Sequence, residues 1–243
     1  MISKILTGSA LTLVVTGRAE PFVISRDHKL FDDILVAANA KDEKTLLGLI
    51  DIASKVNTFS AGKVKIIDGE VYVGDEIVNS LIADRILELI NMGQDFTFMA
   101  KFLENLMLNP SYQSRQELYL FLENGNMPIT DDGRFLAFKW VRDDYRDCHS
   151  GTFDNSVGKI CKMERKKVDD NRQNTCSSGL HVCTHAYTQF GARLMMVAVN
   201  PKDVVSVPYD YDNAKMRVSE YEVLYEVNPD EYTKFQNGFA VQA

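Results

Sequence analysis

The stretch Phe121–Val141, "FLENGNMPITDDGRFLAFKWV", decides the fold. Its first part closes a helix: "SRQELYLFLENG" (Ser114–Gly125) opens with Ser114 and Glu117 at capping-box spacing and stops at Gly125. Its second part reads as a strand, a tight turn at Asp132-Gly133 and another strand. Downstream lie short β-rich runs, "KICKM", "GLHVC", "RLMMVAV", "DVVSVP" and "MRVSEYEVLYEV", separated by turns rich in Asp, Asn and Gly. The chain is therefore expected to be α+β. Strands and helices fill residues 1–126, and a β-rich half, 127–243, carries one short helix at about Ala186–Phe190. No flexible linker separates them, so a core shared by the two halves is left open.

Upstream of the switch the periods alternate between two and 3.6. Strands are expected at Ala10–Thr16 and Phe22–Ser25 around a "GRAEP" turn. "DHKLFDDILVAANA" reads as a helix from an acidic cap, with Leu30, Ile34 and Leu35 on one stripe. "DEKTLLGLIDIASKV" repeats the pattern with Leu46, Leu47, Ile50, Ile52 and Ala53 inward. "KVKIIDGEVYV" is a hairpin about Asp68-Gly69. Two further helices follow, from Asn79 to Gly93 and from Asp95 to the residue before Pro110. Their Phe, Met and Leu stripes are packing surface.

The chain has 243 residues with a net charge of −7, which excludes a general nucleic-acid binder, since such proteins need cations to displace counterions. The basic run "KMERKKV" (Lys162–Val168) reads as a solvated turn. Four cysteines do not make a disulfide framework, and a reducing cytoplasm is the simpler setting. The opening residues alternate like a strand rather than a signal peptide. No run reaches the ~20 apolar residues of a spanning helix.

The densest chemistry is "TCSSGLHVCTHAY" (Thr175–Tyr187), with two of the four cysteines and two of the four histidines. On a strand His181, Cys183 and His185 would share a face, yet Cys176-x4-His181-x-Cys183-x-His185 is no zinc spacing, and no metal is expected. No phosphate loop or dinucleotide fingerprint occurs, so no cofactor is expected either. A thiolate pair with His181 lacks an oxyanion-hole motif. A histidine, a tyrosine and a carboxylate on successive β-rich elements distantly resemble the His-Tyr-Glu layout of ADP-ribosyltransferase folds. That resemblance would place His181 or Tyr187 at the nicotinamide end of NAD and make Glu220 or Glu222 the weak catalytic candidates. Independently, Lys139, Arg142, Arg165, Lys215 and Arg217 are the cations available to phosphates, and Tyr145, Tyr187 and Tyr211 could stack on a base.

A broader resemblance covers most of the chain. "FLENGNMPITDDGRFLAFKWVRDDYRDCHSGTFDNSVGK", "VDDN", "TCSSGLHV" and "VNPKDVVSVPYDYDNAKMRVSEYEVL", in that order over Phe121–Leu224, closely resemble rIIB-like lysis-inhibition proteins of tailed phages. The resemblance implies an accessory protein acting in the cytoplasm of the infected host with an rIIA-like or host partner. It also implies peripheral association with the envelope and escape from a prophage-encoded exclusion system. It brings no catalytic residues. The functional expectation is thus binding that counters host defence or modulates lysis, with a nucleotide- or ADP-ribose-type ligand as the alternative. No specific nucleic acid is expected, and homo-oligomerisation is left open.

Overall fold

A computed structural model describes residues 2–17, 21–28, 30–50, 64–67, 70–78, 80–92, 94–125 and 127–236. The chain divides into two compact units, Met1–Thr97 and Phe98–Ala243.

The first unit is built from alternation. Strands β1 (Ile2–Leu6), β2 (Ala10–Val15) and β3 (Phe22–Ser25) form an antiparallel sheet in that order. Leu11, Leu13 and Val15 point inward from β2, as period two requires. Helices α1 (Phe31–Ala40) and α2 (Glu43–Ile50) complete the core with Phe31, Ile34, Ala37, Ala38, Leu46 and Ile50. Leu30 and Leu35 pack only partly against it. The acidic cap expected for α1 is not formed. Leu30 takes the cap position without a side-chain bond, and the His28 ring accepts from its N–H instead. Asp42 does cap α2, accepting from Thr45 N–H at 3.1 Å. Strands β4 (Val64–Ile67), β5 (Glu70–Val73) and β6 (Glu76–Ile77) make a second small sheet. Helix α3 spans Ser80–Asn91. The "GRAEP" and Asp68-Gly69 turns and the Ile52/Ala53 positions lie wholly or mainly outside the described residues.

The second unit holds a seven-stranded antiparallel sheet. Its strands are β7 (Phe135–Val141), β8 (Ile160–Lys162), β9 (Leu180–Cys183), β10 (Arg193–Val199), β11 (Val204–Ser206), β12 (Lys215–Val218) and β13 (Glu220–Glu226). The spatial order is β11-β12-β9-β7-β10-β13-β8, so β7 is central. The turn into β7 needs its glycine: Gly133 has φ +78°, and a Cβ there would collide with the backbone of Lys101 and Phe102 on α4 (Thr97–Met107).

Helix α5 (Tyr112–Gly125) starts two residues before the expected Ser114. Ser111 Oγ accepts from Ser114 N–H, which is the N-terminal cap. Ser114 and Glu117 therefore do not form the capping box. Both are buried and satisfy the sheet edge: Ser114 donates to Val205 O at 2.7 Å, and Glu117 accepts from Val207 N–H at 2.9 Å. Phe121 meets Phe135 edge-on with ring centroids 6.0 Å apart. The short helix expected at Ala186–Phe190 is a single turn. Thr184 closes that turn, its carbonyl accepting from Tyr187 N–H and its hydroxyl from Ala186 N–H. The helix in this region is α6 (Pro229–Gln236), whose Tyr232 packs edge-on against Phe138 and Trp140.

Candidate functional site: a polar cavity over the central strand

A cavity of about 870 Å³ opens beside β7, within the size range of small-molecule sites. Lys139 of β7, His181 of β9 and Lys215 of β12 project into it, together with Tyr187 and Tyr221. Two loops wall it, Asp147–Phe153 and Thr175–Gly179.

Each loop is held by buried polar chemistry. Asp147 accepts from the N–H groups of Ser150 at 2.6 Å and Phe153 at 2.8 Å, and from the Ser150 hydroxyl. Burial works to raise this carboxyl, and the N–H groups of Phe153, Ser150 and Gly151 outweigh it, holding it down at about 2. Beneath the loop, Asn155 accepts from the Tyr221 hydroxyl and from Cys161 Sγ, and donates to the carbonyls of Tyr145 and Phe153. Burial raises Tyr221 well above the ordinary phenol value, so it remains a neutral donor.

The second loop is organised by Arg217, which is 0% exposed. Its guanidinium donates to Asn174 O at 2.6 Å, Asn171 O at 2.7 Å and Ser206 Oγ at 3.1 Å. Three acceptors suit the rigid fork of an arginine, which stays charged even though burial lowers its value. Gly179 closes the loop at φ +152°, where a Cβ would press on Val168 and on the Arg217 stem. Lys215 donates to Thr175 O at 2.5 Å and pairs with Asp210 at 2.8 Å. Its Nζ also lies 5.9 Å from the Tyr187 ring centroid.

Lys139 is satisfied differently. Its Nζ donates to His181 O at 2.7 Å, and among the described residues no carboxylate forms an ion pair with it. Burial lowers its value, while Cys183, Asp147, Cys148 and Cys161 act in the opposite sense. His181 is pushed down to about 3 by burial and then by Lys139, Lys215, Arg217 and His149, so its ring is neutral. Burial lifts the Cys183 thiol to about 12 and raises Cys148 and Cys161 as well, so these sulfurs keep their protons. All four cysteines are free. No group of three or more His, Cys, Asp or Glu among the described residues is placed to hold a metal ion.

The structure thus brings Lys139, His181, Tyr187 and Lys215 to one cavity. Arg217 stands behind its wall. Arg142 lies outside the lining and donates to Cys148 O at 3.4 Å. Arg165 is engaged by Lys202 O, Val204 O and Asn109, while its neighbours Lys166 and Lys167 pair with Glu164 in an exposed turn. Tyr145 stacks under Arg193 and bonds Glu226. The Tyr211 side chain is outside the described residues. Glu220 and Glu222 alternate with Tyr221, so as Tyr221 lines the cavity they project from the other face of β13. There they pair with Lys162 and Arg134, each at 2.5 Å. Asp147, Asn155 and Tyr221 were not singled out from sequence. The signal for Asp147 is "DCHSGTF", whose Asp, Ser, Gly and Thr are the residues that hydrogen-bond their own turn.

An antiparallel sheet with two loops walling a cavity of small-molecule size is the architecture. The chain belongs to the bacteriophage rIIB family: the family model described as "Bacteriophage T4 protein rIIB" matches residues 4–231. It is 42% identical over 217 residues to Protein rIIB of Enterobacteria phage T4, covering 88% of this chain and 68% of that protein. No solved structure matches it. No helix among the described residues is long and apolar enough to cross a membrane.

Proposed function

We propose that this rIIB-family protein works by binding, in the cytoplasm of the infected host, to counter host exclusion or modulate lysis, and that the cavity over β7 is its small-ligand site. The ligand is an anionic, nucleotide-type molecule such as ADP-ribose or a cyclic nucleotide, and sequestering it would withhold an immune signal. An rIIA-like or host protein is the macromolecular partner, and envelope association or self-assembly would arise through such partners. The observation that carries the ligand reading is Lys139, a half-buried amine that faces a cavity of small-molecule size without an ion pair among the described residues. Lys215, paired with Asp210, supplies the cation, Tyr187 an aromatic face and neutral His181 a further polar group.

Binding is favoured over NAD cleavage by the direction of the carboxylates. An ADP-ribosyltransferase-like layout needs an acid facing the histidine, whereas Glu220 and Glu222 leave the opposite face of β13. A thermal-shift screen of the full chain with NAD, ADP-ribose and cyclic nucleotides tests the reading. A ligand at a hundredfold its Kd stabilises by about 2.7 kcal/mol and should raise Tm by several degrees. No shift with any of them overturns the ligand reading. NAD consumption unchanged by Glu220→Gln and Glu222→Gln is the companion expectation.

A further inference from the structure

Lys139 lies on the central strand, where its stem crosses the sheet surface and its amine ends at the cavity. The cavity around it is lined by His181, Asp147, Cys148, Cys183 and Asp210, with Cys161 behind. Burial keeps the three thiols protonated and His181 neutral, and of the two carboxylates Asp210 is paired with Lys215. The Asp147 carboxylate is occupied by the Ser150 and Phe153 N–H groups of its own loop. An ammonium there is half-buried with one carbonyl, His181 O, as its acceptor and no ion pair among the described residues. That placement shifts the balance toward the neutral amine. A neutral amine can donate one N–H to His181 O and keep its lone pair for the cavity.

We propose that Lys139 is a carbonyl-capturing amine, whose Nζ condenses reversibly with the aldehyde or ketone of a small anionic ligand. The inference rests on reading the cavity as a ligand site and adds the ligand's reactive group. The Nζ lone pair attacks the carbonyl carbon to give a carbinolamine. The two nitrogen hydrogens and the carbonyl oxygen then leave as water, giving a C=N bond, and hydrolysis reverses the step with no oxidant or reductant. Lys215, on the cavity wall, places a cation for the ligand's phosphate or carboxylate. Open-chain sugar phosphates, the reducing end of ADP-ribose among them, carry both groups.

The test uses pyridoxal 5′-phosphate, an aldehyde with a phosphate, on the full chain at pH 7, followed by borohydride and peptide mass mapping. Lys162 is an internal standard: it is exposed, and its hydrogen bond to Glu220 raises its value, so it is the poorer nucleophile. The expected result is reduced label on Lys139 at least roughly tenfold above Lys162, the effect of a pKa gap of about one unit or more. Lys139→Arg should abolish that label. Because mapping is done on the unmutated chain, a variant that fails to fold does not blunt the test. Label on exposed lysines with Lys139 bare overturns the inference. Pyridoxine 5′-phosphate, which lacks the carbonyl, separates the two readings. If it and ADP-ribose raise Tm while Lys139 stays bare, ligand binding stands and covalent capture falls. If neither ligand shifts Tm and Lys139 stays bare, both fall.

Discussion

In Met1–Thr97 every buried side chain among the described residues is apolar, Leu11, Leu13, Phe31, Ile34 and Leu46 among them. In Phe98–Ala243 the apolar interior also encloses Asn109, Ser114, Glu117, Asn155, Ser206, Lys215 and Arg217. All the buried polar side chains among the described residues fall in that second unit. A hydrophobic core needs no such groups, and each costs free energy unless its bonds are met. Most of them serve as clamps. Asn109 Nδ2 donates to Pro201 O and Val204 O, Glu117 meets Val207, and Arg217 holds the 171–174 loop. The clamps therefore gather around the sheet edge and the cavity wall, where loops rather than strands must be fixed. Lys139 departs from the pattern because it clamps almost nothing.

That contrast can be broken by substitution. The largest expected effect is Arg217→Met, which strips three acceptors of their donor and should cost about 3–5 kcal/mol in urea unfolding. Leu13→Ala in the first unit, a plain cavity mutation, should cost about 2–5 kcal/mol with no effect on ligand-induced shifts. Lys215→Met leaves the partly buried Asp210 carboxylate without its partner and should also destabilise, by about 1–3 kcal/mol. Lys139→Met should behave oppositely, leaving stability within about 1 kcal/mol of the parent or raising it. If Lys139→Met destabilises as much as Lys215→Met, the distinction between the ion-paired lysine and the one without an ion pair is wrong.

Acidity sharpens the same comparison. The neutral His181 sits far below the ordinary histidine value, so between roughly pH 6.5 and about 3 the unfolded chain binds the extra proton. Stability from this group is therefore complete above the upper limit and falls as pH drops, by up to about 1.4 kcal/mol per pH unit. His181→Gln should flatten that slope in thermal melts across the window. The depressed Asp147 acts at lower pH: its contribution is present above about 4 and is lost as pH falls toward about 2. Asp147→Asn should remove that last, smaller dependence.

The sequence made much of this legible, for physical reasons that differ by residue. Alternation marked β2, whose one face is buried, while β7, β9, β10 and β12, buried on both faces, were legible only as short β-rich runs between turn residues. The period of 3.6 placed α3, α4 and α5. Ser114 and Glu117 misled because a capping box and a pair of tertiary clamps share one local spacing, and only the position of β11 tells them apart. The helix expected at Ala186–Phe190 is one turn closed on Thr184, and its residues alone do not show why it stops there. At the site, Lys139, His181, Tyr187 and Lys215 were found as cations and rings on strands or their ends. Their separation from Arg217, a clamp on the same face of β12 as Lys215, depends on where the 171–179 loop returns, which is long-range information.

Isothermal titration of ADP-ribose into the full chain and into Lys139→Gln tests the central claim most directly. Saturable binding at one site, weakened at least roughly tenfold (about 1.4 kcal/mol) by Lys139→Gln with the fold intact, is the result the cavity's geometry predicts. Absence of heat with the full chain, or equal affinity in the two proteins, would contradict it.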